Sequence, residues 1–170
     1  MDDNIVNKAF QIAKANGFHD IEYSDKHFIS LIVSELYEAV EADRKHKRAL
    51  PDMFVAEMST NHHSNMEFCF KQFIKDTVED ELADACIRIL DFAGLKKQEL
   101  LFHDVKSWET QSFNEHIHDI AKDLLNTHNL NNALSSICRL SYEMGIDLDW
   151  HVTTKMEYNK TRGFKHGKKY

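Results

Sequence analysis

The chain has 170 residues, 42% of them hydrophobic and 29% charged, with a formal net charge of −7. This is the balance of a folded globular protein, long enough to bury a core as one domain over residues 1–170 without disulfide or metal staples. It argues against disorder and against a membrane span, and the acidic body argues against a duplex nucleic acid partner.

Five glycines and one proline in the whole chain, with long stretches of 3.6-residue periodicity, predict an all-α helical bundle with short joints between antiparallel neighbours. A first helix is expected from Asn4 to Asn16, with Ile5, Ala9, Ile12 and Ala13 on one side and Gly17 as its stop. The second starts after Ser24 or Asp25 and runs to about Arg48, ended by Pro51. The polar run between Met58 and Asn65 reads as a loop, and the aromatic segment Phe68 to Ile74 as a short helix. Asp76-Thr77 open the third long helix, with Glu79 and Asp80 in its first turn, and Gly94 closes it. From Leu95 to Phe113 no clean period is found, so a connection with a helical turn is expected. Helices then follow from Asn114 to Thr127, Leu130 to Met144 with Gly145 as stop, and Leu148 to Arg162.

Cys69, Cys86 and Cys138 are odd in number, far apart and flanked by apolar residues, which points to core thiols rather than a disulfide framework or a zinc site. Of the eleven histidines, His62-His63 lie in a polar stretch and most others are scattered, so they read as solvated surface residues. Met1-Asp2-Asp3-Asn4 lacks the basic start of a signal peptide, and the expected compartment is the cytoplasm.

Two acidic pairs carry the chemistry: Glu35-Leu-Tyr-Glu38 and Glu81-Leu-Ala-Asp84. On the second helix Phe28, Leu31, Ile32, Leu36 and Ala39 form an apolar stripe, with Glu35 inside it, Glu38 at its edge and Glu41 turned toward solvent. On the third, Val78, Leu82, Ala85, Ile89 and Ala93 form the stripe, and Glu81 borders it with Asp84, Arg88 and Asp91 on the adjoining ridge. Carboxylates at the margin of a core need compensation, and a divalent cation held by oxygen ligands supplies it. If the two helices pack antiparallel, Glu35, Glu38, Glu81 and Asp84 line a cleft suited to Mg²⁺, with Mn²⁺ as substitute. The plainer alternative is solvated helix faces, with Arg88 neutralising Asp84 and Asp91 at helical spacing.

A third element is basic. From Lys155 to Tyr170 there are six Lys/Arg against one acid, which leaves fifteen basic and twenty-seven acidic residues before it. Lys155, Asn159 and Arg162 recur along one strip of the last helix, followed by Lys165-His166-Gly167-Lys168-Lys169. Cations and amide donors are what a polyphosphate needs. A carboxylate cleft for metal and a cationic strip for phosphate describe a metal–triphosphate site.

In three blocks the chain resembles the MazG-like nucleoside triphosphate pyrophosphohydrolases, an all-α superfamily that includes the dimeric dUTPases. The blocks are Ser34-Glu35-Leu36-Tyr37-Glu38-Ala39-Val40-Glu41-Ala42, Asp80-Glu81-Leu82-Ala83-Asp84-Ala85-Cys86-Ile87-Arg88-Ile89-Leu90-Asp91, and Lys155-Met156-Glu157-Tyr158-Asn159-Lys160-Thr161-Arg162. The resemblance implies Mg²⁺ held by Glu35, Glu38, Glu81 and Asp84, and phosphates met by Lys155, Asn159 and Arg162, with Lys168 in the basic run beyond. It implies cleavage of a nucleoside triphosphate between its α and β phosphates, and a homodimer or homotetramer that completes the site. Leu31-Ile32 stand where many members carry a pair of glutamates, and the connection from Val40 to Val78 is longer than usual.

On this reading Glu38 takes the proton from the attacking water, while Lys155 and Arg162 stabilise charge on the phosphoryl oxygens. The base is read elsewhere, with Met66 to Phe73 and Leu95 to Phe113 as contributors, although packing is the first expectation for their aromatic rings. Two alternatives differ in class. A di-iron carboxylate bundle needs Glu-x-x-His on two helices, and only Glu115-His116-Ile117-His118 offers that spacing. A non-catalytic helical module would bind nucleotide, or mediate oligomerisation, without turnover.

Overall fold

The computed structural model describes residues 4–60, 65–101 and 112–167, and among these it contains eight α-helices and no strand. They are α1 (Ile5–Ala15), α2 (Asp25–Arg44), α3 (Pro51–Thr60), α4 (Met66–Phe73), α5 (Val78–Lys96), α6 (Phe113–Thr127), α7 (Leu130–Glu143) and α8 (Leu148–Thr161), followed by a 3₁₀ turn, Phe164–Gly167. The expected all-α bundle is what forms. His62-His63, most of the connection after Leu101, and Lys168 lie outside the described residues. No helix among the described residues is long and apolar enough to cross a membrane.

Helix α5 is the central rod, packing on α1, α2, α7 and α8. Its expected stripe is buried in full: Val78, Leu82, Ala85, Ile89 and Ala93 are all shielded from solvent. From α2 the buried set is Phe28, Ile29, Ile32, Leu36 and Ala39, and Leu31 is only half-buried, because it lines a cavity instead of the core. Ile117 and Leu124 of α6, Leu134 and Ile137 of α7, and Val152 and Met156 of α8 complete the main cluster. A smaller aromatic cluster joins Phe54, Cys69, Phe70, Ile74 and Tyr158, with the Phe70 and Tyr158 rings stacked at 4.2 Å. The expectation of packing for the aromatic segment therefore holds for Phe70. Cys69 and Cys86 are buried, Cys138 is half-buried, and all three are thiols outside any disulfide.

Three boundaries differ from the sequence reading, each for a local reason. Helix α2 stops at Arg44, before Arg48, because His46 adopts a left-handed φ of 54° and Lys47 N–H donates back to the Ala42 carbonyl. No glycine marks that stop, so composition gave no sign of it. Pro51 does not merely end α2; it opens the unforeseen α3 as the first helical residue, where its missing N–H costs nothing. Gly94 does not close α5, which continues to Lys96 and ends at a left-handed Lys97. Its role is close packing: a Cβ at Gly94 would come within 2.6 Å of Phe10 Cβ. Gly17, at φ 80°, does stop α1.

Candidate metal and phosphate site

Helices α2 and α5 run antiparallel, as a ladder of cross-helix contacts records. Asp25 meets Lys96 at 3.0 Å, the Phe28 and Phe92 rings stack at 4.8 Å, Glu35 meets Arg88, and Val78 N–H donates to the Lys47 carbonyl. This register sets the Glu35–Glu38 face of α2, three residues apart and hence on one side, against the first turn of α5. One carboxylate oxygen from each of Glu35, Glu38 and Glu81 lies within 4.8 Å of the other two. Glu35 is 2% exposed and Glu81 6%, whereas Glu38 stands at the exposed mouth. A second convergent set, Asp76, Asp80 and Glu81, shares Glu81 with the first.

Arg88 does not serve Asp84 and Asp91 in the manner of a simple helix face. It crosses to α2, where its Nη2 lies 2.5 Å and its Nε 2.6 Å from Glu35 Oε1. Asp91 instead meets His19 Nε2 at 2.7 Å. Asp84 stands apart from both convergent sets. Its Oδ2 lies 2.7 Å from Lys155 Nζ, which also donates to Asp80 Oδ1 at 2.6 Å. Lys155 is 3% exposed, wedged between these two acids and the Phe70 ring, 5.2 Å from its centroid.

The acids outnumber the cations at this end of α5, and the imbalance shifts their proton affinities. Burial, reinforced by Asp80 and Asp84 and opposed by Lys155, pushes the Glu81 carboxyl up to about 9. Burial likewise lifts Asp80 to about 6 against the pull of Lys155. For Lys155 burial acts to lower the pKa, but the Asp84 and Asp80 carboxylates outweigh it and hold the ammonium above its ordinary value. Asp80 is further fixed by the Asp76 N–H, 2.9 Å from Oδ2, and Asp76 itself pairs with Lys75.

Two cavities flank the Glu35–Glu38–Glu81 set. The first, about 80 Å³, opens between α1, α2, α5 and α8 and is ringed by Phe18, Tyr23 and His27, with Arg88, Asn159 and Arg162 among its polar walls. The sequence-predicted strip on α8 is thus divided. Lys155 faces buried acids, while Asn159 and Arg162 line this cavity, Asn159 with an Oδ1 that has no hydrogen-bond partner among the described residues and Arg162 over the Tyr158 ring at 5.5 Å. The second cavity, about 230 Å³, is mostly polar and is lined by Glu38, Glu41, Lys45, Lys47, Asp76 and Glu81 together with Ala42.

Sequence reasoning passed over Lys45, Lys47 and the Phe18–Tyr23–His27 ring set. The signal for the lysines was present in Arg44-Lys45-His46-Lys47-Arg48, a basic run directly after the first acidic helix. For the aromatic set no periodic signal exists, because Phe18 and Tyr23 sit in the connection between α1 and α2. The Glu-x-x-His spacing on α6 leads nowhere comparable. Glu115 accepts from Ser112 N–H at 2.8 Å as a helix cap, and neither convergent acidic set among the described residues contains a histidine.

The donor set suits a hard divalent cation. Octahedral Mg²⁺ with bonds of about 2.1 Å places its ligand oxygens roughly 3 to 4 Å apart, inside the 4.8 Å that bounds the separations here, and carboxylates are its preferred protein ligands. No family model, curated protein or solved structure matches the chain.

Proposed function

We propose that this protein is a Mg²⁺-dependent nucleoside triphosphate pyrophosphohydrolase of the MazG-like all-α type that its acidic blocks resemble. It hydrolyses the bond between the α and β phosphates, giving the monophosphate and pyrophosphate. The observation that supports this reading is the meeting of Glu35, Glu38 and Glu81 carboxylate oxygens within 4.8 Å of one another, between a ring-lined cavity and one whose walls mix carboxylates with Lys45 and Lys47.

In this reading Glu35, Glu38 and Glu81 hold the metal, with Arg88 orienting Glu35. These residues would hold Mg²⁺, which when bound would supply neutralisation of phosphate charge and polarisation of the attacking water. Glu38, the exposed member of the set, accepts the proton of that water. Asp84 and Asp80 are held by Lys155, which fixes the first turns of α5 against α8 and supplies positive charge beneath the site. The nucleoside end points toward the cavity ringed by Phe18, Tyr23 and His27, where Asn159, whose Oδ1 has no hydrogen-bond partner among the described residues, can accept from a donor on the ligand. A second copy of the chain, as the resemblance implies, encloses the nucleotide from the open side.

A panel of ribo- and deoxyribonucleoside triphosphates with Mg²⁺ or Mn²⁺ tests the reading. Monophosphate plus pyrophosphate is expected, lost on chelation and in Glu35→Gln. Diphosphate plus phosphate, or turnover indifferent to chelator, overturns it. The engagement of Glu35 by Arg88 and of Asp84 by Lys155 favours one second reading, a nucleotide-binding module without turnover. Saturable nucleotide binding with no product formed would select it.

A further inference from the structure

We infer that Lys45 and Lys47, and not the α8 strip, receive the β and γ phosphates, so that the polar cavity at the α2–α5 mouth is the exit site for pyrophosphate. The inference rests on the reading above and adds a direction to it.

The antiparallel pair forms a ruled groove. Along α2 the ring-lined cavity reaches His27 and Leu31, the carboxylates follow at Glu35 and Glu38, and the second cavity takes Glu41, Lys45 and then Lys47 in the turn. At 1.5 Å per residue, Leu31 and Lys45 lie about 10 Å on either side of Glu38. Along α5 the same order runs backward, from Asp91 and Arg88 through Asp84 to Glu81 and then Asp76 before the helix starts. A ligand with an aromatic end and a polyanionic end fits this groove one way round. The end next to the rings offers aromatic faces, with Arg88 and Arg162 balanced by Asp84 and Asp91 in the same wall, and the opposite end presents two lysines and no ring among its lining residues.

The α8 cations are placed for other work. Lys155 Nζ is committed to two carboxylates at 2.6 and 2.7 Å, and Arg162 belongs to the ring-lined cavity. At the mouth, Lys45 reaches Glu41 at 2.9 Å, Lys75 pairs with Asp76, and Lys47 makes no ion pair among the described residues. The carboxylates of Glu38, Glu41 and Asp76 offset the three lysines there, so the mouth has no net positive charge for an anion until a divalent cation is bound. The cation supplies that charge, and pyrophosphate affinity becomes contingent on it. In the reaction the water oxygen bonds to the α phosphorus while its proton passes to Glu38. The bond from that phosphorus to the bridging oxygen breaks, and its electron pair leaves on pyrophosphate toward the lysines.

Calorimetry with inorganic pyrophosphate tests this without turnover. Wild-type protein with Mg²⁺ is expected to bind it saturably, and protein in chelator to bind none. Lys45→Met/Lys47→Met should weaken binding by about tenfold per lysine, the loss of a charge-assisted contact each, while Arg162→Met stays within about twofold. Mn²⁺ titration followed by electron paramagnetic resonance should give the same occupancy in all three proteins, and circular dichroism the same helicity. If the double variant binds Mg²⁺–pyrophosphate as wild type does, or Arg162→Met is the one that loses it, the inference fails and the metal-site reading stands. If wild type shows no saturable Mn²⁺ site, both fail.

Discussion

Glu81→Gln separates a bound proton from a bound metal. The Glu81 carboxyl, with a pKa of about 9 in the folded chain against an ordinary value of 4.5, keeps a proton across that window which the unfolded chain releases. The folded state then binds more protons than the unfolded one, so metal-free stability falls as pH rises from 4.5 toward 9, by at most about 1.4 kcal/mol per unit. From pH 6 to pH 8 the limit is about 2.7 kcal/mol, and the opening of Glu81 onto the polar cavity brings the expected loss to about half of that. With unfolding entropy near 2.1 cal/mol/K per residue, a 170-residue chain loses roughly 4 °C in Tm. Glutamine is the neutral isostere of the protonated acid, so Glu81→Gln should melt near wild type at pH 6 in chelator and lack this slope. Other titrating groups, such as His151, whose burial lowers its pKa, act alike in both proteins and cancel in the difference. Mg²⁺ requires the deprotonated form, so it should raise wild-type Tm more at pH 8 than at pH 6 and leave Glu81→Gln unmoved. Scanning fluorimetry at both pH values, in chelator and in Mg²⁺, reads all four arms. A wild-type minus Glu81→Gln difference that is flat or rises with pH in chelator, or a Glu81→Gln variant that Mg²⁺ still stabilises, refutes the reasoning.

Gly94→Ala should lower Tm despite the better helix propensity of alanine, because its Cβ would lie 2.6 Å from Phe10 Cβ. A net loss of about 1–2 kcal/mol in chemical denaturation is expected. Arg88→Met leaves Glu35, 2% exposed, without its cation, and should cost about 3 kcal/mol in chelator; Mg²⁺ should then raise Tm by more than in wild type, since it supplies the missing charge. Lys155→Met strands Asp80 and Asp84 and is expected to cost about 3–5 kcal/mol by urea unfolding. Acid should restore part of that loss, because those two carboxyls then take protons.

Where periodicity alone decides, the sequence was a sufficient guide. The α5 stripe from Val78 to Ala93 is buried as its 3.6-residue spacing requires, and spacing by three residues puts the pair Glu35/Glu38 on one helix face, where it meets Glu81, while Asp84 at the same spacing from Glu81 turns to Lys155. What was not legible depended on backbone states that no composition marks. His46 turns left-handed without a glycine, which ends α2 early and brings Lys45 and Lys47 to the mouth of the acidic cleft. Gly94 reads as a stop in one dimension and as a contact in three, since only the approach of Phe10 from α1 distinguishes the two. The partners of Arg88 and Lys155 were likewise hidden. Each has acids at helical spacing or in its own motif, and each found its partner on another helix.

The pairing of Lys155 with Asp84 bears on how many cations the proposed site would take. An ammonium 2.6 and 2.7 Å from two carboxylates already supplies the positive charge that a second divalent ion would bring to Asp80 and Asp84. Moving Asp84 into a four-carboxylate shell with Glu35, Glu38 and Glu81 would leave the buried ammonium with Asp80 alone, at a cost comparable to breaking one contact of a buried ion pair. The Glu35, Glu38 and Glu81 set needs no such exchange, because its oxygens already lie within 4.8 Å of one another. A metal at the proposed site would therefore be a single ion held by Glu35, Glu38 and Glu81, with Lys155 as the fixed counter-charge beneath them.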